Sequence, residues 1–504
     1  MLEMIQQSAI SHDRYQVELK LDYELDRGEK THYRISTYIF VPRSLGITEE
    51  SYPKSELYRD IKNYIRIKTP ELSLRDLIDN DISPLKVVQK ILQQPSWYLS
   101  DELNSQLTHA LRLFGAMFKS TLRDHIFLLE RRIGSATLDE SLLPLIANLI
   151  EELIHQSERI SDTYRGFYAE LNLPCVRKET FQAYTLVDEY TSLLIEESAT
   201  ELFKILSRHA GSLGRQQYYQ ELNELVGKER THRLQHGYDS FLKADDPNET
   251  YTFRSSVIKK YVSGVLHLSI EAQREGRSME QFLLALVAGA SMIFATVVAF
   301  YFQKIYGSFT FPAFVAIIVG YMFKDRIKEI GRALLAGKLN ANLFDRRILI
   351  RTLDSTYKLA TLREKITFMK ESEISPEVRA ARQKDPFADL DNDRQGETVI
   401  CHTKDIVLNA DPFAKAFAGL PRTSGLNDII RYDIHPYLRK MDDPIENQWL
   451  LDDGELKEVH AHKVYHLNFV SQYTSLNAQA EKLYKRMRVV LNRNGILRIE
   501  YITV

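Results

Sequence analysis

The segment from Phe282 to Phe323 constrains this chain more than any other. Its first arm, FLLALVAGASMIFATVVAFYF (Phe282 to Phe302), contains no charged side chain. As a helix rising about 1.5 Å per residue it would be about 31 Å long, close to the thickness of a bilayer core. The short link Gln303 to Ser308 follows, and then a second apolar arm, FTFPAFVAIIVGYMF (Phe309 to Phe323). A helix that is apolar all round has to be covered, either by lipid or by the core of a large soluble protein. Three details favour lipid. Phe300, Tyr301, Phe302, Tyr306, Phe309, Phe311, Tyr321 and Phe323 collect at the arm ends, as in interfacial aromatic belts. Pro312 stands near the start of the second arm, where its missing N–H costs nothing. Charge returns abruptly at Lys324-Asp325-Arg326. The second arm reaches membrane length only if Ile305 and Tyr306 join it.

Basic residues set an expected orientation. Lys259, Lys260, Arg274 and Arg277 precede the first arm, and Lys324, Arg326, Lys328, Arg332 and Lys338 follow the second. The link offers Lys304 alone. The positive-inside rule then puts both flanks, both termini and most of the mass in the cytoplasm (the inner membrane, if bacterial). The opening MLEMIQQSAISHDRYQ has neither the basic start and apolar run of a secretory signal nor the Arg-rich pattern of an import leader. Cys175 and Cys401 are too few for a disulfide framework, which suits a reducing compartment.

Composition excludes little else. A 44% hydrophobic share supports real cores, and a net charge of −2 gives no drive towards nucleic acid. The expected fold is an α+β membrane protein: a helical bundle, β-rich N- and C-terminal segments, and a two-helix transmembrane hairpin in mid-chain. Alternation over Tyr15, Val17, Leu19, Leu21, Tyr23 and Leu25, and again over Tyr33, Ile35, Thr37, Ile39 and Val41, predicts an N-terminal β-hairpin in residues 1–72. Leucine and phenylalanine at three- and four-residue spacing predict helices over Asp101 to Arg132, Leu142 to Leu171 and Glu179 to Arg208, making a bundle of residues 73–246. Gly134-Ser135 and Gly211 to Gly214 punctuate them. Residues 247–281 read as an amphipathic stem helix entering the hairpin at 282–323, and 324–370 as a second stem with further helices. A polar linker over 371–397 precedes a β-rich domain over 398–504, with strands near Thr398, from His460 to Val470 and from Arg486 to Leu491. N- and C-terminal strands are expected to share a sheet.

Candidate chemistry is sparse. His460, His462 and His466 in EVHAHKVYH have even spacing, so one continuous strand would turn all three to one side as possible metal ligands. Histidines on the polar face of a strand account for the run equally well, and no partner carboxylates announce themselves. Asp389-Leu390-Asp391-Asn392-Asp393 begins like a calcium loop, but Arg394 stands at the glycine position and Ile400 where the closing Glu belongs. Phosphate-loop, Rossmann, nucleophile-elbow and zinc-protease motifs are missing, and no cofactor is called for. Within the arms, Ala285 and Gly289, then Ser291, Ala295 and Ala299, then Ala316 and Gly320 recur at four-residue spacing, which lets helices approach closely. Neither arm holds an ionisable side chain, which lowers the weight of pumps and transporters. The leading expectation is a membrane-anchored cytoplasmic scaffold or signalling protein acting by protein interaction and self-association, with the bilayer as partner. The alternatives are a membrane-tethered metal enzyme using the histidines, and an oligomeric pore gated by the cytoplasmic domains.

Overall fold

The computed structural model describes residues 5–25, 30–133, 143–208, 215–275, 277–307, 310–382, 396–418, 425–476 and 482–504. In chain order, strands Ile5–Asp13 (β1), Gln16–Glu24 (β2) and Thr31–Pro42 (β3) precede helix Lys54–Asp60 (α1) and strand Ile61–Ile67 (β4). Helices follow: Asp76–Asp79 (α2), Pro84–Leu92 (α3), Asp101–Ile133 (α4), Leu143–Arg165 (α5), Tyr168–Leu171 (α6), Lys178–Arg208 (α7), Arg215–Gln235 (α8) and Glu249–Ser263 (α9). Strand Ser269–Arg274 (β5) leads to the long helices Arg277–Tyr306 (α10) and Phe311–Asn342 (α11). Beyond them come Arg346–Arg351 (β6), Lys358–Met369 (β7), Pro376–Arg382 (α12), Glu397–Leu408 (β8), Ala410–Ala416 (α13), Gly425–Asp433 (β9) and His435–Leu438 (α14). The last strands are Ile445–Asp452 (β10), Glu455–His462 (β11), Tyr465–Ser475 (β12), Lys482–Asn492 (β13) and Gly495–Ile502 (β14). With 52% helix and 28% strand the chain is mixed α and β, as expected.

The chain divides into two compact units. The first comprises residues 1–64, 269–413 and 428–504. Its main sheet has the strand order β14-β13-β12-β3-β8-β7-β6-β5, antiparallel at every pairing described. N- and C-terminal strands do share it. Ile39 of β3 lies opposite Phe469 of β12 on one side and Ile400 of β8 on the other. The inward residues of β3, including Tyr33, Ile35, Thr37 and Ile39, are buried at every second position, as a half-buried strand requires.

A second sheet has the order β1-β2-β9-β4, and β10 and β11 pair only with each other. The expected hairpin between the two N-terminal strands is therefore corrected: β2 pairs with β1, and β3 leaves for the main sheet. Alternation set the inward face of each strand correctly but carries no information about its neighbour.

The second unit, residues 65–268 and 414–427, is the helical bundle. The helices expected there are α4, α5 with α6, and α7. Their core is one cluster running from Leu74 to Leu266, centred on a stack of rings. Phe114 of α4 lies 5.1 Å from Tyr164 of α5, which lies 5.0 Å from Tyr184 of α7. Such stacks add about 0.5–1.5 kcal/mol per pair to the area they bury.

Two further expectations are corrected. The stem over 247–281 is not one helix: α9 ends at Ser263, and β5 intervenes before α10. Residues 324–370 hold the end of α11 followed by strands β6 and β7 rather than more helices. The two apolar helices are thus inserted between adjacent antiparallel strands, whose ends pair as Arg274 with Arg346. The calcium-like run at Asp389 and the glycines at 134 and 211–214 lie outside the described residues.

Candidate functional site

Helices α10 and α11 pack antiparallel along their length. A Cβ on Gly320 would stand 3.2 Å from Val298 Cγ1, and one on Gly331 2.5 Å from Val287 Cγ1. Ser291 and Ala316 are buried in the same seam, and Ala295 and Ala299 are half-buried. Small side chains here let the backbones close up. Of the small-residue stripe, Ser291, Ala295, Ala316 and Gly320 serve this contact, whereas Ala285 and Gly289 face away and are exposed. Nothing lies within 4 Å of a Cβ added at Gly289. Gly320→Leu is therefore expected to force the helices apart at a cost of about 1–3 kcal/mol, while Gly289→Leu leaves the melting temperature in detergent unchanged. Equal losses from both substitutions would contradict this seam.

Away from the seam the hairpin is coated with exposed apolar side chains: Phe282, Ile293, Val297, Phe300, Phe311 and Phe314 are each 60–78% exposed. By length and composition one helix, Gln281–Tyr306, can cross a membrane, and 6% of its apolar window is buried inside the protein. Helix α11 does not pass that test among the described residues, so the expected pair of spanning helices reduces to one. Charge makes the difference: the apolar run of α11 ends at Phe323, and Lys324, Asp325, Arg326 and Lys328 follow at once. The packing register sets Lys324 and Arg326 of α11 level with Phe294 and Met292 of α10, so charged and apolar surface lie side by side there.

A second centre, with no motif to announce it, lies between the two large sheets of the first unit. Lys404 of β8 sits directly across the ladder from Glu364 of β7, its Nζ 3.3 Å from Glu364 Oε1, and also pairs with Asp428 of β9. Tyr23 donates to Asp428 at 3.1 Å and Asn63 to Glu364 at 2.6 Å. His402, two residues from Lys404 on the same face, has Nδ1 2.9 Å from the Tyr432 hydroxyl and Nε2 3.9 Å from Glu364. Lys404, Glu364, Asp428 and His402 are all at most 2% exposed.

Burial pushes the Lys404 ammonium down, but Asp428 and Glu364 outweigh it and hold its pKa above the ordinary lysine value. Burial and then the Lys404 charge drive His402 down to about 3. The residues that could ligate a cation here already surround an ammonium ion. The one sequence signal for this centre is parity: His402 and Lys404 alternate in phase with buried Ile400, Ile406 and Leu408.

The neutral state of His402 has a consequence for stability. The unfolded chain binds that proton near pH 6.5, the folded chain only near 3. Between these values the unfolded state holds more protons, so this contribution is full above about pH 6.5 and falls as pH drops towards 3. His402→Gln is expected to flatten the acid side of a stability–pH curve from urea melts; an unchanged slope would contradict the neutral buried imidazole.

The helical unit has its own buried ionic group. Asp188 of α7 accepts from Arg165 at 3.2 Å, Tyr238 at 2.9 Å and His232 at 2.8 Å, and Arg165 reaches Glu229 at 2.6 Å. Burial raises the Asp188 pKa, but His232, Arg165 and Tyr238 more than offset it. Arg165 comes from α5, Asp188 from α7, and Glu229 and His232 from α8, with Tyr238 just beyond it, so the group fixes how these helices close.

The sequence-derived histidines are split. His460 and His462 lie on β11, which ends there, and His466 lies on β12 in the main sheet. Even spacing implied a shared face only for an unbroken strand, and Lys463-Val464 interrupts it. His460 Nδ1 lies 2.8 Å from Asn447 Oδ1. Among the described residues no group of three or more His, Cys, Asp or Glu side chains is placed to hold a metal ion. Comparison with protein-family models, curated proteins and solved structures finds no match to this chain.

Proposed function

We propose that this protein is anchored on a membrane by the outer end of the α10–α11 hairpin and works there by binding and self-association through its folded units. The observation that carries this reading is the exposed apolar coat of the hairpin, from Phe282 to Phe323, on a chain whose other large apolar side chains mostly fill cores. The register of the two helices favours entry from one face over a symmetric span. Apart from Lys304 near the tip, neither helix carries a charge from Phe294 to Tyr306 or from Phe311 to Phe323, a depth of about 18 Å against a hydrocarbon core of about 30 Å. Deeper insertion would bring Lys324, Asp325 and Arg326 into lipid at about 2.5–3.5 kcal/mol each. Both helix ends return to the paired strands β5 and β6, so everything outside the hairpin remains on the side of entry. By the positive-inside rule the basic flanks favour the cytoplasm as that side.

Self-association and protein binding draw support from the β10–β11 ribbon. Every residue of β10 is exposed, and Trp449, Leu451 and Leu456 share one of its faces. Isolated two-stranded ribbons are marginal in water without cover. The membrane reading is tested by fractionating cells that express the full chain. Retention in the membrane pellet after an alkaline carbonate wash is expected; release into the supernatant would overturn it.

A further inference from the structure

The β10–β11 ribbon presents a strand edge whose charges complement those of its own copy. Asp453 and Gly454, with φ of 49° and 84°, join the two strands, both in the left-handed region that a type I′ turn requires. Pairing runs from Asp452 opposite Glu455 to Ile445 opposite His462. Just beyond, the Lys463 N–H donates to the Pro444 carbonyl at 3.0 Å, which fixes the phase of the ladder. Glu455, Lys457, Val459 and Ala461 therefore direct their backbone groups at β10, while Leu456, Glu458, His460 and His462 direct theirs outward. Among the described residues no strand takes up that outer row. Apart from Ala461, every residue of β11 is exposed.

Free edges are ordinarily guarded by charges that repel an added strand. Here one register turns the charges to attraction. If two β11 strands pair antiparallel about a two-fold axis at Val459, Glu458 stands opposite His460 and Glu455 opposite Lys463, each twice. An axis at Glu458 or at Lys457 sets that residue against itself, and an axis at His460 sets Lys457 against Lys463. Lys463 already pairs with Glu446 at 3.2 Å, so the deciding contact is Glu458 with His460. The His460 Nδ1 is held 2.8 Å from Asn447 Oδ1 on the β10 side, which leaves Nε2 for the carboxylate of the second copy. Strand β10 offers no such match, because its charged residues, Glu446 and Asp452, are both acidic.

We infer that the outer edge of β11 binds the same edge of a second copy of this chain, strand to strand, in a two-fold dimer with the continuous sheet β10-β11-β11-β10. The inference rests on the self-association proposed above and names its site. Adding the strand satisfies the outward N–H and C=O groups of Leu456, Glu458, His460 and His462 on both copies. It also converts two marginal ribbons into one four-stranded sheet. The face that holds Trp449, Leu451 and Leu456 continues across the join, where Leu451 and Leu456 of one copy line up with His462 and Ile445 of the other. Because each copy gives and receives the same edge, the contact closes at two. Confinement to a membrane raises the effective concentration of copies, so a contact of this size can be weak in free solution.

The test uses the full chain in an uncharged detergent at pH 6, where histidine side chains gain charge. Glu458→Lys sets an ammonium group against His460 at both pairs, and His460→Glu sets carboxylates against Glu458. Each variant alone is expected to self-associate at least about tenfold more weakly than the parent in sedimentation equilibrium. Mixed together, the two variants are complementary at both pairs and should recover the parent's affinity. Mixing would not repair a damaged fold, so recovery assigns the loss to the contact itself. Oxidation then fixes the register. In a Cys175→Ser background, Val459→Cys puts the two thiols on the axis, at a non-hydrogen-bonded pair with Cα atoms about 4.5 Å apart, within disulfide reach. This variant is expected to link into dimers, while Lys457→Cys and Gln448→Cys stay unlinked. Linkage through Gln448→Cys instead would move the contact to β10 and overturn the site. A parent dimer unaffected by either charge substitution would overturn the site but leave self-association standing. A parent that stays monomeric in detergent and in lipid vesicles would overturn both.

Discussion

Lys404→Met is expected to destabilise the protein by about 3–5 kcal/mol, enough to unfold the β-rich unit under mild denaturant. The lysine is 2% exposed and is the cation between Glu364 and Asp428, which are 1% and 0% exposed. Methionine fills the volume of the side chain but leaves two carboxylates facing each other without compensation in a dry interior. One of them must then take up a proton or draw in water. The cluster ties β7 and β8 of the main sheet to β9 of the second sheet, so its loss separates the sheets rather than fraying one edge. Adding Glu364→Gln and Asp428→Asn to Lys404→Met removes the uncompensated charge and is expected to recover part of the loss. Urea melts of the three proteins measure it. A single variant as stable as the parent would show that the ion cluster does not hold the sheets together.

The second large effect is expected at the hairpin end. Phe300, Tyr301, Phe311 and Phe314 are 60–78% exposed and lie outside the seam formed by Val298, Ala316 and Gly320. In the proposed anchored state lipid covers them, and each such side chain contributes about 1.5–3 kcal/mol on leaving water. Changing all four to Ser removes most of that gain and leaves the helix contact intact. The variant should move from the carbonate-resistant pellet to the supernatant with its circular dichroism unchanged. Retention in the pellet would show that the anchor lies elsewhere on the chain.

How much of this was legible in the sequence depends on how local each signal is. The charge-free run from Phe282 to Phe302 and the three- and four-residue spacing of α4 and α7 are local, and they survive in the structure. Strand pairing is not local. Nothing in Thr31–Pro42 says that it inserts between β12 and β8, with partners more than 350 positions away. The break of the first stem at β5 was hidden for a related reason: Ser269–Arg274 is a short, mostly exposed edge strand, without the apolar alternation that marks a half-buried one. Lys404, Glu364 and Asp428 escaped because each is an ordinary charged residue in its own segment. Only their phase with neighbouring apolar residues marks them as inward. The histidines misled in the opposite way, since even spacing implies a shared face only along an unbroken strand.

On the proposed reading the hairpin end enters the membrane from one face and stays in it. Cysteine labelling at Lys304→Cys tests this most directly, with native Cys175 as the control, because Cys175 is exposed and Cys401 is buried. In intact cells a membrane-impermeant maleimide is expected to label neither thiol. After permeabilisation Cys175 should react at once, and the thiol introduced at position 304 only when detergent removes the lipid. Labelling at position 304 in intact cells would contradict entry from one face and establish a span. Labelling there together with Cys175, without detergent, would place the hairpin outside the bilayer altogether.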